Sequence, residues 1–515
     1  MKLRSGPQPG ELNKQPRLRA SACALTCLML GANWAQAQET SNAPKSGVSA
    51  SIDAVSTYAV NSRLGGLSGG DLVTELRPGI RMFSRTGRVV GSLSYSMGLV
   101  NHSQDYASDS VQNNLRASFS AEAVPSWVYV DASASIGQQV LSSNGVQSVA
   151  GSALYNSNRA EVGSFSISPY VRGVLGTATN YEARINASAS NTRRSIVGDS
   201  SQYGGSLSLS SALAGTSLGW GLRLSNQISD YRAGRQTTGD RVSATLSYNI
   251  DADLSLTARA GQESSNVTTL NTTRYDNYGL GISWRPTPRT RAQFDFDERY
   301  FGRSHSVWIE HRMASSSLQF SSSRSASDPA AGQTSSQSVT LYQVYFAQAA
   351  SIEPDPLLRE QFVLAFMRAQ GLDPNALVNL SLLNTGVSVQ ERHQLSWSYS
   401  ALRMSGSVQL FSTTSKVIDA PQASSTNLAS RQWGYMATAS YRLSPTMGVS
   451  VTGSRMLAQA TSVSAATELK SLSLNMNSQL ARRTTATVSA RYTVFNSPTD
   501  PYREAAVTVS LGHRF

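Results

Sequence analysis

The side chains best placed to do chemistry alternate along two short stretches near the middle of the chain. Phe294 and Phe296 take one parity, and charged residues take the other and continue into the next stretch: Arg291, Asp295, Asp297, Arg299, Glu310 and Arg312. Successive side chains of a β-strand point to opposite faces, so these charges are expected to share one face. Two carboxylates on one face could form the acid and base of a glycosidase. The nearby arginines would keep both carboxylates ionised, which argues against a general acid.

Two other uses of this charged face remain open. If Phe294 and Phe296 face lipid, the charges face a water-filled lumen, where they could conduct or select a solute. They could equally brace the wall through ion pairs between neighbouring strands.

Other catalytic or metal-binding patterns are sparse. His102 lies near Ser103 and Asp105, but in a polar loop with nothing to orient it. No HExxH, paired CxxC, P-loop or GxSxG motif is present. Cys23 and Cys27 are the only cysteines, so the chain after residue 37 has no thiolate sites. We therefore expect no enzyme activity, no metal and no cofactor.

The elements that would position these side chains are β-strands. Many segments of roughly ten residues alternate apolar with polar, as outer-membrane strands do, and the clearest are 48–54, 128–136, 218–224, 242–250, 254–260, 433–441, 447–451 and 486–492. No run of eighteen apolar residues follows residue 37, so no transmembrane helix is expected. Only 15% of the residues are charged and 40% are hydrophobic. The pattern predicts an all-β fold, a single large antiparallel transmembrane β-barrel of about 20–24 strands.

Turns and aromatic residues fit the same fold. Short turns such as 85–88 and 444–446 alternate with longer polar stretches at 101–111, 191–202, 229–240 and 413–430. Outer-membrane barrels have short periplasmic turns and long external loops. Aromatic residues at strand ends are expected to form interface girdles, and these are Trp127, Tyr129, Trp284, Tyr300, Trp308 and Trp433.

The chain ends on a strand with one apolar and one polar face. The first of these faces carries Val507, Val509, Leu511, His513 and Phe515. This ending resembles the C-terminal signal that the barrel assembly machinery recognises, although an ordinary edge strand of a soluble sheet has the same pattern. We expect it to pair with the first strand, near 48–54, because closure leaves no free edge.

Residues 1–37 have the features of a signal peptide. A basic stretch precedes the apolar run 20–30, and Ala35-Gln36-Ala37 supplies a small-x-small cleavage site. The run is too short to span a bilayer, and Cys27 lacks the setting of a lipoprotein signal. Residues 38–515 would then form the barrel in the cell outer membrane, in contact with its lipid.

One segment breaks the strand rhythm. Asp355-Pro356 supplies an N-cap and a proline at the first helical position, and Gly371 follows the end of the run. A helix inserted between strands is therefore predicted at about 355–370. It could plug or line the lumen, cap the mouth of the barrel, or lie in the periplasm and contact a partner.

The net charge bears on possible partners. The formal charge is +12, of which residues 1–37 contribute five basic and one acidic side chain, so 38–515 carries +8. The basic residues are dispersed rather than clustered among aromatics, so nucleic-acid binding is not expected. A cationic lumen that favours anionic solutes and a charge-neutral role both fit.

Several short motifs resemble those of one protein family. The stretches 284–290 (WRPTPRT) and 299–304 (RYFGRS) are similar to those of the outer-membrane proteins associated with PEP-CTERM systems. Supporting matches are 74–80, 128–134 and 166–170, and the predicted helix with its exit at 371–372 and 384–392 also fits. The resemblance spans nearly all of 38–515 except the stretches 191–202 and 413–430.

The resemblance implies a setting rather than a chemistry. Members of that family are outer-membrane barrels found with exopolysaccharide biosynthesis and protein-sorting genes. The resemblance therefore implies a porin-like conduit in exopolysaccharide export, with a polysaccharide and a periplasmic export component as partners. No catalytic residues come with it. A structural or anchoring barrel without transport, and a barrel hydrolase, are the alternatives.

Overall fold

The structure is a computed structural model. It describes residues 46–515 except 65–66, 104–108, 149–155, 157, 177, 194–198, 213–215, 233, 328–341, 343–344, 347–358, 361–362, 365–366, 368–386, 420–428 and 462–463. The described residues up to Arg514 belong to one compact unit. The predicted signal peptide at 1–37 lies outside the described residues.

The described chain is built almost wholly from β-strands. In chain order they are β1 Ser46–Leu64, β2 Leu67–Arg85, β3 Val89–His102, β4 Ser110–Val124, β5 Val128–Val140, β6 Arg159–Leu175, β7 Thr179–Thr192, β8 Ser200–Ala212, β9 Leu218–Tyr231, β10 Gln236–Asn249, β11 Leu254–Ser265, β12 Thr273–Thr287, β13 Thr290–Arg299, β14 Gly302–Arg312, β15 Ser316–Ser327, β16 Ser388–Ser400, β17 Met404–Val417, β18 Ala429–Ser444, β19 Met447–Ala458, β20 Thr467–Ala481, β21 Thr484–Asn496 and β22 Tyr502–Arg514. This confirms the predicted all-β class, and 22 strands fall within the predicted number.

The strands form one closed antiparallel sheet. Each strand pairs with the next in the chain, and β22 pairs with β1, with Arg514 opposite Ser51 and Ala505 opposite Val60. The predicted pairing of the last strand with the first is therefore confirmed. The closed ring gives every described strand a partner on both sides, so backbone groups are satisfied without an exposed edge.

The two faces of the sheet have opposite character. In β18 the exposed outward residues Trp433, Tyr435 and Tyr441 alternate with the buried inward residues Thr438 and Ser440. The inner wall is satisfied by hydroxyl pairs between strands, such as Ser405 Oγ with Ser440 Oγ at 2.6 Å and Thr438 Oγ1 with Thr452 Oγ1 at 3.2 Å. An apolar outside and a polar inside are the arrangement of a barrel with lipid around it and water within it. The protein is an outer-membrane β-barrel.

The terminal strand has the same division of faces. Val507, Val509 and Leu511 are about half exposed and point outward, and the imidazole Nδ1 of His513 lies 2.9 Å from the Thr484 hydroxyl of β21. The strand ends at Arg514, and the exposed Phe515 follows it. The role of these residues as an assembly signal stays a prediction.

The two ends of the barrel differ in their connections. One end, which we name the turn end, has the short connections 86–88, 125–127, 176–178, 213–217, 250–253, 288–289, 313–315, 401–403, 445–446 and 482–483. The other, the loop end, has 65–66, 103–109, 141–158, 193–199, 232–235, 266–272, 300–301, 328–387, 418–428, 459–466 and 497–501. By the asymmetry of such barrels the turn end is periplasmic. The turn at 300–301 is closed by Gly302, whose φ of 87° suits a residue without Cβ.

The prediction of an aromatic girdle is wrong for two of its residues. Trp308 lies opposite Gln293, on the same face as Asp295, and so points into the lumen. Tyr129 also points inward, where its ring stacks on Tyr170 at 5.2 Å. Residue type suggested the membrane interface, but strand parity decides the face.

The predicted helix is described only in part. Within 355–370 the described residues Arg359, Glu360, Val363, Leu364 and Met367 are helical, while Asp355, Pro356 and Gly371, which were expected to bound the helix, lie outside the described residues. A second helical stretch, not predicted, contains Tyr342, Tyr345 and Phe346. No helix among the described residues is long and apolar enough to cross a membrane.

Candidate functional site

The connection between β15 and β16 supplies the most distinctive element of the lumen. We name its described helical residues the lumenal segment, and they are Tyr342, Tyr345, Phe346, Arg359, Glu360, Val363, Leu364 and Met367. The connection leaves β15 at the loop end. Three polar contacts then tie the segment to the barrel wall.

These contacts lie on strands far apart in the ring. Glu360 forms an ion pair with Arg81 of β2, and the Arg116 guanidinium of β4 lies 5.9 Å from the centre of the Tyr342 ring. The Tyr345 hydroxyl donates to the Ser407 hydroxyl of β17 at 3.0 Å. Since β4 and β17 are nine strands apart by the shorter way round the ring, the lumenal segment must cross the lumen to reach both.

The wall residues in these contacts all point inward. Arg81 lies opposite Ser49 of β1, while its neighbour Met82 is exposed on the outer face. Ser407 likewise alternates with the exposed Val408. The structure thus places the described residues of the predicted helix inside the barrel, as the plug or lining alternative expects.

The lumenal segment reaches the half of the barrel nearer the turn end. Arg81 lies four residues before the end of β2 at Arg85, and Ser407 lies three residues after the start of β17 at Met404. Both strand ends belong to the turn end. The described residues of this connection, which starts at the loop end, therefore narrow the lumen near the periplasmic side.

The lumenal segment also packs on itself. The Arg359 guanidinium lies 4.9 Å from the centre of the Phe346 ring, which in turn lies 5.5 Å from the Tyr342 ring. Val363 and Met367 are fully buried. Burial raises the pKa of the Tyr342 and Tyr345 hydroxyls, so both stay protonated, and the Tyr345 hydroxyl keeps the proton that it donates to the wall.

The charged face predicted from the sequence lies on the lumenal wall. Asp295 and Asp297 accept hydrogen bonds from one side chain, Arg259 of β11, each at 2.9 Å. Arg299 forms an ion pair with the buried Glu263, which lies 3.3 Å from Arg241 of β10. The face is therefore a network across β10 to β13.

The remaining predicted charges form a smaller group next to this network. Glu310 and Arg312 pair with each other at 2.9 Å along β14. Arg291 lies opposite Glu310 in the strand register and is exposed, with no ion pair among the residues that the structure describes. Since five of the six predicted charges are committed to ion pairs, the bracing of the wall is their evident structural effect.

The His102 neighbourhood does not have the order of a catalytic triad. Asp71 is buried between two partners, with His102 Nδ1 at 2.8 Å and the donating Ser103 hydroxyl at 2.9 Å. In a triad the histidine lies between the nucleophile and the acid, whereas here the carboxylate lies between the serine and the histidine. Asp105, the acid suggested by the sequence, lies outside the described residues. These contacts tie β2 to β3 at the loop end.

One group of connections at the loop end is tied across the mouth. Arg235, between β9 and β10, donates from Nε to Asp419, between β17 and β18, at 2.5 Å, and Asp419 is fully buried. Arg235 also donates to the backbone carbonyl of Val267, between β11 and β12, at 2.9 Å. A small apolar cluster of Tyr231, Val267 and Val387 packs beside it.

A second group folds inward on the other side of the mouth. Val146, in the connection between β5 and β6, packs against an apolar cluster on the lumenal wall that includes Phe495 and Tyr502. The Tyr502 hydroxyl donates to the Gln147 carbonyl at 2.6 Å. Asn144 donates to the Ala465 carbonyl, between β19 and β20, at 2.7 Å. The loop end is thus bridged by two clusters of its own connections.

The sequence held signals for the residues that its interpretation missed. Arg259 alternates with Ala258 and Ala260 in a segment predicted as a strand, so its inward direction was readable. Tyr342, Tyr345 and Phe346 have the i, i+3, i+4 spacing of one helical face. No local pattern joins Arg81 or Arg116 to a segment more than two hundred residues away. No group of three metal-binding side chains occurs within the described residues.

Comparisons with known proteins add little beyond shape. No protein-family model matches the chain, and no curated protein matches it. Among solved structures, the apoprotein form of the FrpB iron transporter from Neisseria meningitidis has a TM-score of 0.49 and 10% identity, over 91% of this chain and 81% of that one. A mutant of the ferric enterobactin receptor PfeA from Pseudomonas aeruginosa has a TM-score of 0.45 and 8% identity, over 91% and 81%. OpdQ from Pseudomonas aeruginosa has a TM-score of 0.31 and 9% identity, over 91% of this chain and 98% of that one.

Likenesses at this level do not bear on the function of this barrel. The resemblance to the PEP-CTERM-associated family stays a prediction, since none of these proteins speaks to it. What the structure itself shows is an outer-membrane β-barrel of 22 strands with a segment of its own chain in the lumen.

Proposed function

We propose that the protein is a conduit for hydrophilic solutes across the outer membrane, narrowed by the lumenal segment. A wall of 22 strands encloses a lumen too wide for inward side chains to fill. The lining is rich in hydroxyl groups, which bind water and passing solutes weakly. The observation that carries the proposal is the seating of the segment between Arg81, Arg116 and Ser407, because a constriction has a use only where a passage exists.

Planar-bilayer conductance tests this proposal. A variant in which residues 342–367 are replaced by a short Gly/Ser linker should conduct severalfold better than the wild type, because the passage widens. Retained migration as a folded barrel on a semi-native gel shows that the wall has survived. A folded variant that conducts no better than bare lipid would rule out a conduit.

A matched pair on one strand refines the test. Arg81→Gln removes the wall partner of Glu360, whereas Arg77→Gln removes an equal charge from the same face of β2, where the partner is Glu75. We expect the first to raise conductance or its fluctuation and the second to leave both near the wild-type level. Equal effects would mean that lumenal charge matters and the position of the segment does not.

The second candidate is a structural or anchoring barrel that passes nothing. The bridging of the loop end, with Asp419 buried between connections, favours it. Planar-bilayer conductance distinguishes the two candidates, because an anchoring barrel should not conduct even after the lumenal segment has been removed.

The solute suggested by the sequence resemblance is an exopolysaccharide, with a periplasmic export component as partner. The support is that resemblance together with a hydroxyl-lined wall, which suits sugar hydroxyls. In a deletion strain the polymer should be made but retained in the envelope. Normal secretion of the polymer by the deletion strain would exclude an exopolysaccharide as the solute and would leave the conduit proposal intact.

A further inference from the structure

The acidic and basic side chains that line the lumen differ in how far they are paired with opposite charges. Carboxylates of the wall are bound by basic side chains, and the pairs are Glu75 with Arg77, Asp131 and Glu182 with Arg184, Glu263 with Arg241 and Arg299, Asp295 and Asp297 with Arg259, Glu310 with Arg312, Glu468 with Arg455, and Glu504 with Arg491. Their negative charge is largely neutralised at the wall.

Several arginines of the described wall face the same lumen without such a partner, Arg291 among them. Arg116, Arg223 and Arg392 have no ion pair within the part of the chain that the structure describes. Each lies opposite hydroxyl side chains, as Arg223 does between Ser208 and Ser243. Arginine stays charged at any physiological pH, so the lumen keeps a positive surplus.

Part of this surplus lies where the lumen is narrowed. Arg81 and Arg116 of the wall contact the lumenal segment, whose described carboxylate is that of Glu360. Glu360 pairs with Arg81 and also interacts electrostatically with Arg116. One carboxylate cannot neutralise both guanidinium groups, so the described part of the constriction is cationic.

We infer that the constriction selects hydrophilic anions such as carboxylates and phosphates, with Arg116 as the selecting side chain. This rests on the proposed function, since selection needs a passage. A constriction of one sign with low-dielectric walls raises the local concentration of ions of the opposite sign. The guanidinium group also matches the planar geometry of carboxylate and phosphate oxygens.

The reversal potential in a potassium chloride gradient tests the inference. It gives the permeability ratio of chloride to potassium, which should exceed one in the wild type and fall severalfold in Arg116→Gln. Glu360→Gln should change the ratio in the opposite direction. The control is Arg303→Gln, which loses the same charge on the outer face of β14 and should keep the wild-type ratio.

The outcomes separate this inference from the conduit itself. A conducting wild type with a ratio at or below one, or an Arg116→Gln ratio equal to that of the control, overturns anion selection and leaves the conduit standing. If neither the wild type nor the barrel lacking 342–367 conducts, the conduit fails and selection fails with it. Replacing chloride by phosphate in the same gradient should preserve the sign of the potential, and a reversed sign would exclude phosphates from the solute class.

Discussion

The loop end of the barrel and its lumenal segment are both built from connections between strands, yet different kinds of contact hold them. At the loop end, Asp419 is fully buried against Arg235, and Phe495 is buried beneath Val146. The lumenal segment is tied to the wall by the partly exposed Arg81–Glu360 pair and by single polar or ring contacts.

This difference predicts which of the two regions is more easily displaced. Breaking a buried ion pair by removing one partner costs about 3–5 kcal/mol. A partly exposed ion pair contributes about 0.2–1 kcal/mol, and an ordinary hydrogen bond about 0.5–1.5 kcal/mol. The bridged loop end is therefore the more resistant part, and the contacts of the lumenal segment with the wall are the weaker ones.

The largest expected effect follows from Asp419→Ala. It leaves the Arg235 guanidinium without its carboxylate and should destabilise the loop end by about 3–5 kcal/mol. Limited proteolysis should then cut within 418–428 much faster, while the conductance stays near the wild-type level. Glu391→Ala, which removes a half-exposed carboxylate near the same end, is the control. An unchanged rate of proteolysis in Asp419→Ala would contradict the view that the loop end is held by stronger contacts than the lumenal segment.

A smaller effect is expected from Tyr502→Phe. The change deletes the hydroxyl that donates a hydrogen bond to the Gln147 carbonyl. The loss should destabilise this region by about 1–3 kcal/mol, because a buried acceptor is left unsatisfied. Amide hydrogen exchange in 141–148 should rise. Tyr492→Phe on the exposed outer face of β21 should leave exchange in 141–148 unaltered. Equal exchange in the two variants would mean that the Tyr502 hydroxyl does not hold this connection.

Tyr345→Phe probes the lumenal segment at the scale of a single hydrogen bond. Loss of the donation to Ser407 should cost about 0.5–1.5 kcal/mol. Single-channel records should show more frequent steps between conductance levels, with no change in proteolysis at the loop end. If the variant steps between conductance levels no more often than the wild type, the packing of Val363 and Met367, rather than the wall contacts, holds the segment.

Arg81→Gln should have the smallest energetic effect of the four. Its ion pair with Glu360 is partly exposed, so the loss is about 0.2–1 kcal/mol and should shrink as salt is added. The difference in conductance between this variant and the wild type should therefore narrow between low and high ionic strength. A difference independent of salt would point to packing rather than charge.

Much of the fold could be predicted because its signals are local. The alternation of segments such as 433–441 reports which face meets lipid, since the side-chain period of a strand is two residues. The pairing of β22 with β1 followed from the need to leave no edge. The error at Trp308 arose where residue type was preferred over parity, although Glu310 two positions on had already been placed on the lumenal face.

The candidate site was less predictable because its contacts are remote in sequence. Arg81 and Glu360 are 279 positions apart, and Tyr502 and Gln147 are 355 apart. Such contacts depend on the ring size, the strand tilt and the path of each connection, none of which leaves a periodic pattern. The helical residues near 355–370 were expected, but the sequence could not choose between lumen, mouth and periplasm.

The closure of the ring between β1 and β22 also orders the assembly of the protein. The last strand of the ring pairs with the first, so the seam cannot close until all the strands of the ring have been exported. The lumenal segment touches β2 and β4 on one side of that seam and β17 on the other. Its residues must therefore enter the lumen either before the seam closes or through the mouth of the closed barrel.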